Sequence, residues 1–250
     1  LLGKKYQVYG IDNFDNYYSV KLKKKRIRIL KKFKYFKFKK IDISKKRQLN
    51  TIKNNQFSYL FHFAAQAGVR YSLKNPKKYY ENNVKAYSNL IDKISKKKLK
   101  KVIYASSSSV YGDQKIFPTK ENAVLNAKNP YAMSKIVNEK MSEIYSNIYK
   151  FNFIGLRFFT VYGEWGRPDM FIIKLLNSIY KNRVFNLNNK GDHFRDFTYI
   201  DDITSTCEKF IFYNSKQNHD IFNICAGKKV NIKNLLHQII KEYPKAKVKM

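Results

Sequence analysis

Apolar and polar positions alternate in short runs, separated by longer stretches with helical period, as expected of strands joined by helices. Tyr6 to Ile11 reads as a strand ending at Asp12, with further strands at Tyr35 to Phe38, Ser58 to Phe63, Lys101 to Ala105 and Asn152 to Phe158. Between them the pattern predicts lysine-rich helices at Val20 to Leu30 and Lys45 to Lys53. It also predicts a long helix from Pro76 through Leu90 to Ile94, and another from Asn129 to Ile148. Strands separated by helices of this length form parallel βαβ units with right-handed crossovers, so the predicted fold class is α/β with a doubly wound parallel sheet. After Tyr162 the texture changes. Glu164 to Asp169 is a loop with Gly and Pro, Phe171 to Tyr180 a helix, and Val184 to Leu187 a strand before a turn at Gly191. Sheet patterning returns at Phe197 to Ile200 and Ile221 to Cys225, and no internal repeat is found. The expected partition is a larger domain over residues 1–163 and a smaller lobe over 164–250, partly interleaved with it. Leu1 and Leu2 followed by Gly3 read as the tail of an amphipathic helix with its C-terminal glycine, so the chain is expected to start inside a structure.

Composition adds limits to this picture. A chain of 250 residues with 44% hydrophobic content buries one good core and a smaller one. No apolar run is long enough to span a bilayer, and no secretory leader is read, so neither membrane association nor export is expected. Cys207 and Cys225 are too few for a disulfide framework and lack zinc-site spacing, which points to a reducing cytoplasm and no metal. The formal net charge of +33 is mostly lysine, spread from Lys4 to Lys249, with only eight arginines. Asn, Ile, Phe and Tyr are also abundant while Gly and Pro are scarce, a bias toward AT-rich codons, so no nucleic-acid partner is expected. The densest run, Lys21 to Lys40, reads as a solvated helix and strand edge. A basic surface still attracts a multiply anionic substrate.

Candidate chemistry concentrates between Ala105 and Lys135. Tyr131 and Lys135 stand four residues apart near the start of a helix with Asn129 as its N-cap and Pro130 at its first position, so both side chains share one face. A phenol with a pKa of about 10 becomes a usable base at neutral pH when an ammonium stabilises its anion. The pair alone is weak evidence in a chain this rich in Tyr and Lys. Its context is stronger, because the strand Lys101 to Ala105 runs directly into Ser106, Ser107, Ser108, Ser109, Val110, Tyr111 and Gly112. Hydroxyls at the carboxyl end of a parallel strand lie where open α/β sheets bind ligands.

On these residues the chain resembles the extended short-chain dehydrogenase/reductase superfamily and its NAD-dependent epimerase/dehydratase family, and within it the UDP-glucuronate 4-epimerases. The resemblance runs through Gly10 to Tyr18 (GIDNFDNYY), His62 to Tyr71 (HFAAQAGVRY), Tyr104 to Gly112 (YASSSSVYG), Leu156 to Met170 (LRFFTVYGEWGRPDM) and Arg195 to Asp202 (RDFTYIDD). It implies a Rossmann domain binding NAD, followed by a substrate lobe. It further implies Tyr131 as catalytic base, Lys135 as its pKa-lowering partner and ribose ligand, and Ser107 as the hydroxyl polarising the reacting oxygen. Ser108 and Ser109 would lie beside the hexose carboxylate. Asp12 would grip the adenosine ribose and, by its charge, favour NAD over NADP. Asn13 and Asn16 are implied as neighbouring cofactor contacts, Asp42 and Ile43 as the adenine pocket. Phe63, Ala64, Ala65, Asn82 and Phe158 are implied on the phosphate and nicotinamide side. Thr160, Arg167 and Arg195 are implied for the nucleotide sugar, the arginines offering planar forks for diphosphate or carboxylate oxygens. Against these stand plainer roles: Asp12 as a turn residue, Arg195 and Asp196 as a surface ion pair, Asp201 as an N-cap, His62 as a structural histidine and Trp165 as packing.

The implied activity is 4-epimerisation of UDP-glucuronate to UDP-galacturonate through a 4-keto sugar. Sibling dehydratases and decarboxylases carry an acidic residue within the serine segment, where this chain has Ser108 and Ser109, and that favours an epimerase. UDP-glucose 4-epimerisation is the alternative, and Arg167 facing a C6 carboxylate favours glucuronate. A catalytically inactive basic binding protein is the alternative of a different class. The sequence departs from the family at both ends, where the first strand with its glycine-rich phosphate loop and the end of the substrate lobe are not found. The chain alone is therefore expected to bind NAD poorly and to be inactive. Family resemblance also implies a homodimer.

Overall fold

The structure, a computed structural model, describes residues 1–52, 57–95 and 99–249. The chain divides into two compact units, Leu1–Phe158 with Cys207–Asn223, and Phe159–Thr206 with Ile224–Met250.

In the first unit, β1 (Val8–Asp12) and β2 (Phe36–Lys40) pair in parallel, in register from Val8↔Phe36 to Asp12↔Lys40. Between them α1 (Val20–Leu30) is capped by the Ser19 hydroxyl, which accepts from Leu22 N, and buries no residue; its lysines form a solvated surface. The predicted helix Lys45 to Lys53 is only α2 (Lys46–Leu49), and Lys53 lies outside the described residues. β3 (Tyr59–His62), β4 (Lys101–Ser107) and β5 (Asn152–Phe158) follow. Together with β10 (His219–Ile224) they form a four-stranded parallel sheet in the order β10–β5–β4–β3. β4 and β5 are in register from Lys101↔Asn152 to Ser107↔Phe158, so Ser106 and Ser107 belong to the strand instead of following it.

The helices over this sheet are α3 (Val69–Lys74), α4 (Pro76–Tyr79), α5 (Ala86–Ser95) and α6 (Pro130–Tyr149). The long helix predicted from Pro76 is broken by a π-turn at Tyr80–Lys85, which carries Asn82 and Asn83. Such turns bulge a helix and swing its side chains out of the regular rows. Ile41, Leu49, Ile91, Val102, Tyr104 and Phe153 form the core here, with Met141, Tyr145 and Tyr149 of α6 packed on it. At the N-terminus the expected helix tail is a single 3₁₀ turn, Leu2–Lys4, and Lys5 (φ 62°), not Gly3, takes the left-handed capping position.

The second unit is built from two-stranded pieces. β6 (Thr160–Tyr162) pairs in parallel with β9 (Phe197–Tyr199), β7 (Phe185–Asn186) in parallel with β12 (Val248–Lys249), and β8 (Phe194–Arg195) antiparallel with β11 (Val230–Asn231). α7 (Phe171–Tyr180) and α9 (Ile232–Glu242) bury Leu175, Ile232 and Leu236 against Phe185 and Leu187. α8 (Ile200–Phe212) carries Asp201 and Asp202 inside its first turn, where carboxylates suit the positive end of the helix dipole, so Asp201 is not the N-cap residue.

Candidate active site

Helix α6 begins where its sequence dictates. Asn129 Oδ1 accepts from Ala132 N at 2.9 Å, and Pro130 fills the first position, where no amide donor is required. Tyr131 is half-buried and Lys135, one turn on, is 2% exposed. The Lys135 amine donates to Ala105 O at 2.7 Å and lies 5.9 Å from the centroid of the Tyr131 ring. Burial brings this ammonium down to about 8, against the opposing pull of Glu139. It therefore still carries its charge at neutral pH beside a phenol. Tyr79 meets the Tyr131 ring edge-on at 6.1 Å, and its own hydroxyl lies 2.8 Å from Ala67 O and 2.6 Å from Gly68 O. Burial pushes the Tyr79 phenol well above its usual range, so it stays neutral.

Ser107 closes β4 and is nearly buried. Its Oγ accepts from Ser109 N at 3.2 Å and donates to Ser109 Oγ at 3.2 Å, capping the 3₁₀ turn Ser108–Tyr111. Gly112 (φ 63°) ends that turn, and a Cβ there would run into the Asn126 carbonyl. Beneath lies a buried ion pair. Arg157 Nε and Nη2 donate to Glu139 Oε1 at 2.9 Å and Oε2 at 2.7 Å, and Ser106 Oγ donates to Oε1 at 2.5 Å. Arg157 Nη1 donates to Tyr111 Oη and to Glu121 O, both at 2.8 Å. Burial works against the guanidinium charge, but Glu139 and Tyr111 together more than offset it, so Arg157 stays charged.

At the end of β1, Asp12 Oδ1 accepts from Phe14 N at 2.6 Å and Asn13 Oδ1 from Asp15 N at 2.9 Å, while Asn16 is exposed. Ile41 N donates to Asp12 O at 3.1 Å, which brings the Asp42 strand end alongside. Asp42 Oδ1 accepts from Ser44 N and Ser44 Oγ, and Ile43 packs on the core. Phe63 is 46% exposed and stands edge-on to Phe158 at 5.7 Å, with Ala64 and Ala65 exposed beside it. Asn82 is half-buried. The adjacent Asn83 is fully buried, accepting from Gln66 N at 2.7 Å and donating to Ser134 Oγ at 2.9 Å. It thus ties the loop after β3 to α6.

The structure brings Tyr131, Lys135 and the serine end of β4 into one neighbourhood, and Asp12 with Asp42 into another. Thr160, Arg167 and Arg195 lie in the second unit. Thr160 N donates to Asp196 O at 3.0 Å. Arg167 pairs with Asp169 through two bonds, at 3.0 and 3.1 Å. Arg195 and Asp196 do not form the expected surface ion pair. The Asp196 carboxylate accepts from Ala226 N and Lys228 N at 2.9 Å each, while Arg195 Nη1 donates to Phe194 O. Trp165, read as packing, is 52% exposed with φ 58°. Sequence reasoning missed Glu139, Arg157 and Asn83, and read Ser106 as a strand-end hydroxyl without its buried partner. Two signals were available: Glu139 lies one turn past Lys135, and Arg157 interrupts an apolar strand.

His62 is structural, as expected. It stacks on Tyr87 at 5.1 Å, and burial first, then the Lys135 charge, lowers its pKa to about 3. The unfolded chain takes up a proton here near pH 6.5 that the folded chain refuses until about 3. Stability is therefore expected to fall between these values with a slope of about 1.4 kcal/mol per pH unit from this residue. Denaturation of His62→Phe over that range should show a shallower decline; an unchanged slope would mean His62 is protonated in the fold.

A family model, the NAD dependent epimerase/dehydratase family, matches residues 1–225. A UDP-glucuronate 4-epimerase of Thermodesulfobacterium geofontis is 37% identical over 222 residues, covering 88% of this chain and 68% of the relative. An uncharacterised protein of Methanocaldococcus jannaschii is 38% identical over 245 residues, covering 97% of this chain and 74% of its own. Among curated relatives the chain spans from 47% to 74% of their length. The crystal structure of a mutant UDP-glucuronic acid 4-epimerase from Bacillus cereus, in complex with a fluorinated UDP-glucuronic acid and NAD, superposes with a TM-score of 0.91. That match has 29% identity and covers all of this chain and 79% of the other. No helix among the described residues is long and apolar enough to cross a membrane.

Proposed function

Because the chain belongs to the NAD dependent epimerase/dehydratase family, we propose that it carries out NAD-dependent 4-epimerisation of a nucleotide sugar, UDP-glucuronate to UDP-galacturonate. The observation that carries this reading is the buried Lys135 ammonium one turn from Tyr131, bonded to the strand that ends in Ser107.

The first unit fits a dinucleotide. A carboxylate, Asp12, stands at a strand end for the ribose hydroxyls, and Asp42 and Ile43 lie beside that end for the adenine. The apolar surface of Phe63, Ala64, Ala65 and Phe158, with Asn82, suits the nicotinamide side. Bound NAD would supply a reversible hydride acceptor. The chain's own residues do the rest. Tyr131, as phenolate, takes the proton of the sugar 4-hydroxyl and later returns it. Lys135 holds that anion within reach of neutral pH and binds the ribose. Ser107 hydrogen-bonds the reacting oxygen, and Ser108 and Ser109 lie near the sugar carboxylate. The family resemblance assigns Thr160, Arg167 and Arg195 to the diphosphate and carboxylate of the substrate, a hold that leaves the ring free to turn.

Asp169 occupies the fork of Arg167, so the substrate carboxylate exchanges with it. Incubating the full-length protein with UDP-glucuronate should yield UDP-galacturonate by NMR; absence of interconversion would reject the reading. Arg167→Ala is expected to lose about 10- to 100-fold more kcat/KM on UDP-glucuronate than on UDP-glucose, the worth of one charged hydrogen bond. Equal losses on both would remove glucuronate as the preferred sugar. The same reading takes the protein as a cytoplasmic homodimer, supported by its low cysteine count and by family resemblance.

A further inference from the structure

We propose that the buried Glu139–Arg157 pair is the positioning unit of the site, holding Lys135 charged and fixing the serine end of β4 against α6. The inference rests on the reading of Tyr131 and Lys135 as the acid/base couple. Ser106 and Arg157 face each other in the β4–β5 ladder, so their side chains leave the same face of the sheet. Glu139 spans both, taking Ser106 Oγ and Arg157 Nε on one carboxylate oxygen and Arg157 Nη2 on the other. Alternation then sends Ser107 to the opposite face. One carboxylate thereby sets the height of α6 over the strand whose Ala105 carbonyl receives the Lys135 amine. The remaining guanidinium nitrogen grips Tyr111 and the Glu121 carbonyl, and so holds the turn that bears Ser108 and Ser109. Tyr111 is held in turn by Asn223, to which its hydroxyl donates at 2.6 Å.

The pair also has an electrostatic task. The titratable groups set around the Lys135 amine are Tyr131 and Glu139 on α6 and His62 on β3, with Arg157 of β5 reaching it through Glu139 and Tyr79 of α4 behind Tyr131. His62 is neutral at pH 7, so Glu139 is the anion that opposes the desolvation of the lysine. Glu139→Gln keeps the shape and a hydrogen-bond acceptor for Ser106, removes that anion and leaves Arg157 in its place.

The test is an NMR titration of Lys135 in the full-length protein, alongside the pH profile of kcat. In Glu139→Gln the Lys135 pKa should fall by about one unit, since the loss of a nearby opposite charge that raises it shifts a group by about that much. The alkaline limb of kcat should move to lower pH with it. The value of kcat at its optimum should fall by up to about 100-fold, as expected when reacting groups are displaced by about an ångström. A residue that only stabilises the fold would lower thermal stability and leave both titrations where they were, and that result would overturn the proposal. If Glu139→Gln does not fold, the double variant Glu139→Leu with Arg157→Met removes both charges and should show a lowered Lys135 pKa; an unshifted value there would also overturn it. The lysine titration needs no turnover, so a wild-type protein without epimerase activity would count against the proposed function and not against this pair.

Discussion

Tyr131→Phe is expected to lower kcat by about 1000-fold, the middle of the range for loss of a positioned acid/base group. Phenylalanine keeps the edge contact with Tyr79 and the place of the ring above Lys135, so only the hydroxyl is lost. The residue is half-buried on the first turn of a well-capped helix, and loss of its hydroxyl should cost no more than about 1.5 kcal/mol of stability, the worth of one hydrogen bond. NAD content and thermal stability measured alongside kcat separate the two effects. A variant keeping more than about a tenth of wild-type turnover would show that the proton is handled elsewhere.

The second large effect is on stability. Arg157→Met leaves the Glu139 carboxylate buried with only the Ser106 hydroxyl, and takes a donor from Tyr111 and from the Glu121 carbonyl. Removing one partner of a buried pair costs about 3–5 kcal/mol, a large part of the roughly 5–15 kcal/mol that holds a domain folded. Replacing both partners with apolar residues of similar volume costs far less, because no charge is then stranded. Urea denaturation of Arg157→Met and of the double variant with Glu139→Leu should show this asymmetry. Equal destabilisation by single and double variants would mean that packing, not charge, carries the pair.

What the sequence made legible was local or periodic. The span Asn152 to Phe158 was read at its true limits because it is a buried strand with turn signals on both sides. The start of α6 was legible because Asn129 and Pro130 act on amides within the next turn, and the same helix then fixes the relation of Tyr131 to Lys135. What stayed hidden depends on contacts between distant residues. Glu139 and Arg157 are eighteen positions apart and meet only because β5 lies beside β4 under α6. The π-turn at Tyr80–Lys85 was read as part of one continuous helix, because a single wide turn is too short to change the apolar pattern of its window. The bonds of Arg167 to Asp169, two residues on, were not legible, because they come from a turn that periodicity does not describe. β1 and β2 form their own ladder beside the four-stranded sheet, a detail of pairing that strand patterns do not encode.

The most direct experiment gives the full-length protein UDP-glucuronate deuterated at C4, without added NAD, and follows the label by mass spectrometry and NMR. UDP-galacturonate that keeps its deuterium at C4 is the expected result, because the same atom leaves the sugar and returns to its other face while Tyr131 shuttles only the hydroxyl proton. Product that has exchanged its deuterium for solvent hydrogen would contradict this chemistry, and so would the absence of any product from a protein that holds NAD.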